Sequence, residues 1–423
     1  MLPQNKILSV FFNVSLIAIE FKVLWSFKDN VFFVTSQNVL IKPIDKTMSI
    51  IIRRVESRKE FKTFARFANK FYKGNKYYVP ALVFDELTTF DRNKNAAYDF
   101  CDAEFYLAYK DNQLVGRVAA IINHKANEAW KVKQVRFGWF DFIDDIEVSS
   151  ALLDAVAQFG RNAGMTQIAG PLGFTDFDPE GMLVEGFDEI STMALIYNHP
   201  YYPDHMKQLG FIKETGWLEY RITLPEAVPE RHQRIAEAVM DRYNLKVTKK
   251  TRKQIMKEGY GQKFFALINE TYCNLYGFSL LSERQIDNYV KLYMNFADLN
   301  LLSFIEDSEG ELIAAGISIP SLAEALQKSR GELFPFGWIH ILKALYWKRS
   351  DTVEFLLIGV RPEWQNRGIN SLIICDLLKR YIDAGFRYAE TNANLETNTK
   401  IQAMWEPFDC AQHKRRFVFA KEL

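Results

Sequence analysis

The chain has 423 residues, 48% of them hydrophobic and 25% charged, with a formal net charge of +1. That is the balance of a soluble globular protein with room for two cores, and it excludes a nucleic-acid partner held by bulk charge. Cys101, Cys273, Cys375 and Cys410 stand far apart without zinc or redox spacing, so no metal is expected and free thiols in a reducing cytoplasm are.

Residues 7–27 are mostly apolar, but Asn13, Glu20 and Lys22 interrupt them short of the ~20 residues that a membrane-crossing helix needs. No small-residue cleavage site follows. Met48 leads at once into a strand-like run at 49–55, so 1–47 is expected to be an extension upstream of the biological start, with a membrane-surface anchor as the alternative. From 60 to 72, Phe61, Phe64, Phe67 and Phe71 recur at helical spacing, a stripe that belongs in a core.

Residues 103–109 and 114–122 read as strands joined by a hairpin turn at 110–113. The pattern returns at 302–306 and 311–319. Gly116 and Gly316 hold equivalent places, 316 − 116 = 200 residues apart, so the chain repeats itself at domain scale. A strand at 135–142 and a helix at 148–163 follow in the first repeat. Their link carries Asp144, Asp145 and Glu147 and no glycine, a composition that repels phosphate.

The stretch 170–187 is too rich in Gly and Pro for a helix or regular strand, and runs on to Tyr197, Asn198, His199, Tyr201 and Tyr202. Long ordered loops in compact domains are usually functional. Its residues suit an amine or hydroxyl with an apolar tail, the candidates being Asp178, Glu180, Tyr197, Asn198, Tyr201 and Tyr202; a packing loop between domains is the alternative. A helix near 203–209 and a strand at 217–224 close the repeat. Pro225 and Pro229 mark 224–235 as the connection, giving domains at 48–224 and 236–423. Helices at 264–276 and 282–296 open the second, with Gly277 and Phe278 between them.

Residues 353–360 form a buried strand, stopped by Pro362 because a central ladder needs an N–H. From Ile369 onward, Leu372, Ile373, Leu377 and Leu378 continue at helical spacing. Between strand and helix lie Gln365, Asn366, Arg367 and Gly368, which bring backbone N–H groups to the positive end of a helix. Gly368 lets a phosphate approach the main chain, and Arg367 adds a charge. A strand at 385–395 follows, then a helix through Trp405 with Asn398 as N-cap; 415–420 alternates like an edge strand.

The run Gln365 to Asn370 resembles the diphosphate signature of the GNAT acyltransferases, Gln/Arg-x-x-Gly-x-Gly/Ala, with Asn370 in the last small position. The order strand, phosphate turn, helix, strand, helix, strand matches over 299–423. The Gly-Pro loop ending Asn-x-Pro-Tyr-Tyr extends the resemblance over 48–423 to bacterial tandem-GNAT proteins, some of which are ceramide synthases. That resemblance implies an α/β fold with a mixed sheet, built from two GNAT-like domains of which the first is degenerate in its phosphate turn. It implies an acyl-CoA or acyl-carrier protein donor, with the acyl-CoA at Ile358, Val360, Gln365, Asn366, Arg367, Gly368, Ile369, Asn370 and Asn398. The family's thiolate-protonating Tyr is Trp405 here, whose indole is too weak an acid.

The implied activity is N-acylation of a hydrophobic amine such as a long-chain base. A main-chain N–H beside 358–360 would serve the thioester oxygen and lower the barrier by ~3 kcal/mol. A carboxylate must take the ammonium proton: Glu390 first, then Glu354 and Glu396, with His199 from the first domain; for Glu354 and Glu396 a surface salt bridge is the plainer expectation. A non-catalytic coenzyme A or lipid binder stays open, as does an aminoacyl-tRNA-dependent transferase, which the intact turn and near-neutral charge oppose. The expected location is the cytoplasm, with peripheral contact at the inner membrane.

Overall fold

The computed structural model describes residues 50–294, 298–347 and 349–423; the expected extension at 1–47 and the start at Met48 lie outside them. Fourteen strands are described, in chain order β1 (Ile50–Arg54), β2 (Cys101–Lys110), β3 (Gln113–Asn123), β4 (Gln134–Phe142), β5 (Gln167–Gly170), β6 (Met182–Glu185) and β7 (Ile212–Thr223). The rest are β8 (Lys246–Thr248), β9 (Leu302–Glu306), β10 (Leu312–Pro320), β11 (Thr352–Val360), β12 (Tyr388–Thr391), β13 (Asn394–Leu395) and β14 (Asp409–Glu422). They form one mixed sheet in the order β1-β2-β3-β4-β5-β14-β7-β12-β11-β10-β9-β8, with β6 beside β14 and β13 beside β7.

The repeat is visible in the ladder. β4 pairs with β5 in parallel, as β11 does with β12, and the flanking pairs are antiparallel. Gly116 on β3 and Gly316 on β10 each lie under a crossing helix. A Cβ there would come 2.8 Å from Leu152 on the Ile146–Asn162 helix and 2.7 Å from Ile373 on the Ile369–Asp383 helix. Each helix buries one apolar face on its half of the sheet, Val148, Leu152 and Val156 in one core and Leu372, Ile373 and Leu377 in the other. The first hairpin turns at Asp111 and Asn112, both with positive φ, as a two-residue turn matched to strand twist requires.

Residues 415–420 are not at an edge. β14 runs between β5 and β7, and β7 runs between β14 and β12, so each repeat's last strand completes the sheet of the other. The charges of this strand are paired inside the sheet: Arg416 and Lys414 reach Glu219 on β7 at 2.5 and 3.2 Å, all three fully buried. Two further expectations change. The 170–187 stretch contains a short strand, β6, and the helix opened by Asn398 is only Thr399–Gln402, with turns carrying the chain on to Trp405. Part of the expected connection folds as the Glu230–Tyr243 helix, packed against Ile369–Asp383.

Candidate active site

β11 and β12 stay paired only through Phe355 and Thr391. Asn392 still reaches back to the Phe355 carbonyl at 3.0 Å, after which Asn394 and Leu395 turn away to pair with β7. β11 continues to Val360 against β10 alone, which opens a wedge beside 356–360. The Tyr272 hydroxyl stands on this open edge: it donates to the Ile358 carbonyl at 3.0 Å and lies 3.4 Å from the Ile358 nitrogen. Burial pushes the Tyr272 phenol up to about 12. Nothing in the periodicity of 264–276 singled this tyrosine out, because its partner is 86 residues away.

At the end of β11 the chain passes through a short 3-10 turn, Pro362–Trp364, and enters the Ile369–Asp383 helix. Gln365, Asn366, Arg367 and Gly368 are all exposed. Asn366 and Gly368 have φ of 60 and 80, and no side chain caps the helix, so its first N–H groups stay open to an anion. The Gln365 side chain donates back to the Val360 carbonyl at 3.1 Å, and Arg367 lies over the Trp364 and Tyr243 rings. Ile369 is buried and roots the helix in its core, so only its main chain faces outward chemistry. Asn398 is the N-cap of the next helix, accepting from the Ile401 nitrogen at 3.3 Å. Trp405 is buried edge-on to Phe355, away from any proton-transfer partner among the described residues.

The first repeat places different chemistry at the equivalent turn. Asp145 caps the Ile146–Asn162 helix, accepting from the Glu147 nitrogen at 3.0 Å, and is tied to Lys110 at 2.5 Å. Asp144 pairs with His205 at 3.0 Å. The wedge beside β4 is filled by the chain's own backbone: the Leu172 nitrogen donates to the Phe137 carbonyl at 2.8 Å. That approach needs glycines, since a Cβ at Gly138 would sit 2.5 Å from the Leu172 carbonyl and one at Gly170 would sit 2.2 Å from that of Phe137.

The four candidate proton acceptors separate cleanly. Glu390 is buried among cations, 3.0 Å from Arg221 and 3.3 Å from Lys414. Glu396 is tied to Lys213 near the surface. His199 lies within the ring cluster of Phe71, Tyr72, Tyr197 and Tyr201, and burial lowers its pKa. Glu354 faces Glu390 across the β11–β12 ladder and is 3% exposed, and no cation among the described residues forms an ion pair with it, its nearest polar neighbours being the Ser321 hydroxyl and the Met193 main chain. Burial pushes its carboxyl up to about 7; the Ser321 hydroxyl nearby opposes the shift and the Glu390 charge adds to it. The surface ion pair expected of Glu354 is therefore absent.

The long loop divides in two. Its first part meets the second repeat: Phe177 stacks near Tyr289, and Asp176 accepts from the Ser279 nitrogen at 3.3 Å. Asp178 accepts from the Thr175 nitrogen at 3.0 Å, and burial pushes it up to about 6; burial raises Glu180 too. The Tyr197–Tyr202 part packs inside the first repeat. Tyr202 is 1% exposed and bonded to Tyr72 and to the Phe142 nitrogen, Tyr201 donates to the Phe142 carbonyl, and Tyr197 to that of Phe187. Asn198 satisfies both main-chain groups of Leu183 as another strand would. No cluster of His, Cys, Asp or Glu among the described residues has the geometry to hold a metal ion.

No family model matches the chain. It is 26% identical over 387 residues to Protein YghO of Escherichia coli, covering 88% of this chain and 95% of that one. It is 22% identical over 398 residues to the bacterial ceramide synthase of Caulobacter vibrioides, covering 90% and 100%. Among solved structures it is similar to a tandem GNAT protein from the clavulanic acid biosynthesis pathway, with a TM-score of 0.52 at 10% identity over 88% of this chain and 98% of that one. The chain has the mixed α/β fold of the tandem GNAT proteins.

Proposed function

We propose that the protein is an acyl-CoA-dependent N-acyltransferase whose acceptor is a hydrophobic amine, with 48–224 and 236–423 as its two GNAT-like domains. The observation that carries the reading is a division of labour around one strand. β11 ends in an open helix terminus that suits a diphosphate, borders a wedge that suits a thioester, and bears on its paired portion a buried carboxylate without a cation.

The turn from Gln365 to Asn370, exposed through Gly368, fits the donor's diphosphate, since its N–H groups are uncapped and Arg367 supplies a charge. When bound, the donor supplies an activated acyl carbonyl. Glu354, held near neutrality by burial, takes a proton from the acceptor's ammonium, which frees the nitrogen lone pair for attack. The Ile358 N–H is the main-chain donor for the developing oxyanion, and Tyr272 is the hydroxyl within reach of the departing sulfur. Glu390 orients this centre through its cations rather than accepting a proton itself. The similarity to a ceramide synthase supports a long-chain base as acceptor.

The experiment is an acylation assay with a long-chain base, a polyamine and an amino acid as rival acceptors, using palmitoyl-CoA and acetyl-CoA. Amide formation on the long-chain base alone supports the reading. Preference for a polar amine, or coenzyme A binding without turnover of any amine, refutes it.

A further inference from the structure

Between β10 and β11 the chain inserts residues 321–351, where the first repeat has only 124–133. The insertion is a helical hairpin, the Ala323–Ser329 helix packed against the Gly337–Tyr346 helix, and none of the second helix's residues is buried. Fifteen large hydrophobic residues are exposed among the described residues, and six lie within this one hairpin: Phe334, Phe336, Trp338, Ile339, Tyr346 and Trp347, with Phe336 and Trp347 68% and 69% exposed. One flank holds the helix to the molecule, Ile341 packing near Val79 and Leu326. Positions 338, 342 and 346 fall on one stripe, so the face turned to solvent is the apolar one, the reverse of an ordinary surface helix.

Within the insertion's apolar stretch the charge has one sign, and of the acids that bracket it Glu332 is paired with Arg66. Residues 333–350 contain no acid and carry Lys343, Lys348 and Arg349. Arg349 is paired with Asp298 at 2.8 Å, whereas no carboxylate among the described residues pairs with Lys343 or with Arg330 at the hairpin's base. Aromatic rings flanked by unpaired cations match the interface of an anionic bilayer, where rings sit at headgroup depth and cations meet lipid phosphates. A second copy of the chain fits less well, because a two-fold contact through this face would set Lys343 near its own like. No described helix is long and apolar enough to cross a membrane, so the contact would be with one leaflet's surface.

We propose that the 334–347 hairpin docks the protein on the surface of an anionic lipid bilayer. The hairpin is rooted beside the candidate site: Ser321 donates to the Thr352 carbonyl at 2.9 Å, and Ile319 pairs with Glu354. Docking therefore brings Glu354 toward amines carried in the bilayer. The inference stands on the exposed face alone and holds whatever the acceptor proves to be.

The test uses the full chain without substrate, sedimented with vesicles of equal parts phosphatidylcholine and phosphatidylglycerol or of phosphatidylcholine alone. Binding should favour the mixed vesicles, fall by about tenfold or more in a Phe336→Ser, Trp347→Ser double variant, and lose its anionic preference in Lys343→Glu. Circular dichroism and gel filtration check that these exposed changes leave the fold intact. The proposal is overturned if the wild type does not sediment, or if the double variant binds equally, which would move membrane contact to another segment such as 7–27. A dimer that the double variant abolishes, without vesicle binding, overturns it too.

Discussion

The two repeats share a ladder, a crossing helix and a glycine beneath it, yet they treat the helix terminus after the fourth strand oppositely. In the first, Asp145 satisfies the terminus and the chain's own Gly170 to Gly173 backbone fills the wedge. In the second, the terminus is uncapped and the wedge holds one tyrosine hydroxyl. A fold that pays for its own end groups has no use for a phosphate, and one that leaves them open has a ready anion site. The contrast teaches that one fold can either close or leave open the helix terminus after its fourth strand.

The sharpest break in that comparison is at Glu354. Glu354→Gln keeps the shape and removes the proposed base, so amine acylation should fall by roughly 10²–10⁴ while coenzyme A affinity, read by titration calorimetry, holds. In the wild type the acceptor step should rise with pH through about 7 as Glu354 loses its proton. Stability runs the other way. A carboxyl whose folded pKa is raised contributes stability that is present below its unfolded pKa and is lost as pH climbs through about 7. Glu354→Gln should therefore be more stable than wild type above pH 8, by roughly 3 kcal/mol in urea unfolding.

Next in size is the seam between the repeats. Lys414→Met leaves Glu219 and Glu390 without their shared cation inside the sheet and should cost ~3–5 kcal/mol in the same unfolding measurement. A loss below ~1 kcal/mol would mean that the exchanged strands are held by their ladder alone.

How much of this was legible depended on range. The phosphate turn could be read because glycine, arginine and helical period lie within a dozen residues, and the hairpins because strand and turn are contiguous. The strand exchange could not, since β14 meets β7 roughly 200 residues away and an interior strand with paired charges alternates just as an edge strand does. The same limit hides which of the carboxylates is paired. Glu390 and Glu354 look alike in sequence, and only pairing partners such as Arg221 decide which of them keeps a cation. Tyr201 and Tyr202 looked like a binding wall because an aromatic loop reads the same whether it faces a ligand or, as here, its own core.

A smaller effect sharpens the contrast at the turns. Gly368→Asn keeps a residue that tolerates positive φ, while Gly368→Asp adds the carboxylate that the first repeat uses. Coenzyme A affinity should drop about tenfold more in the Asp variant than in the Asn variant, from the added repulsion. Smallest is Asp145→Ala, which should cost ~1 kcal/mol of stability by removing a cap and leave coenzyme A binding unchanged.

The central claim is that only one of two similar repeats holds the donor, and calorimetric titration of coenzyme A into the full chain counts the sites directly. The account predicts one site per chain, weakened by Gly368→Asp and untouched by Asp145→Ala. Two sites per chain, or a single site that survives Gly368→Asp and responds to Asp145→Ala, would contradict it.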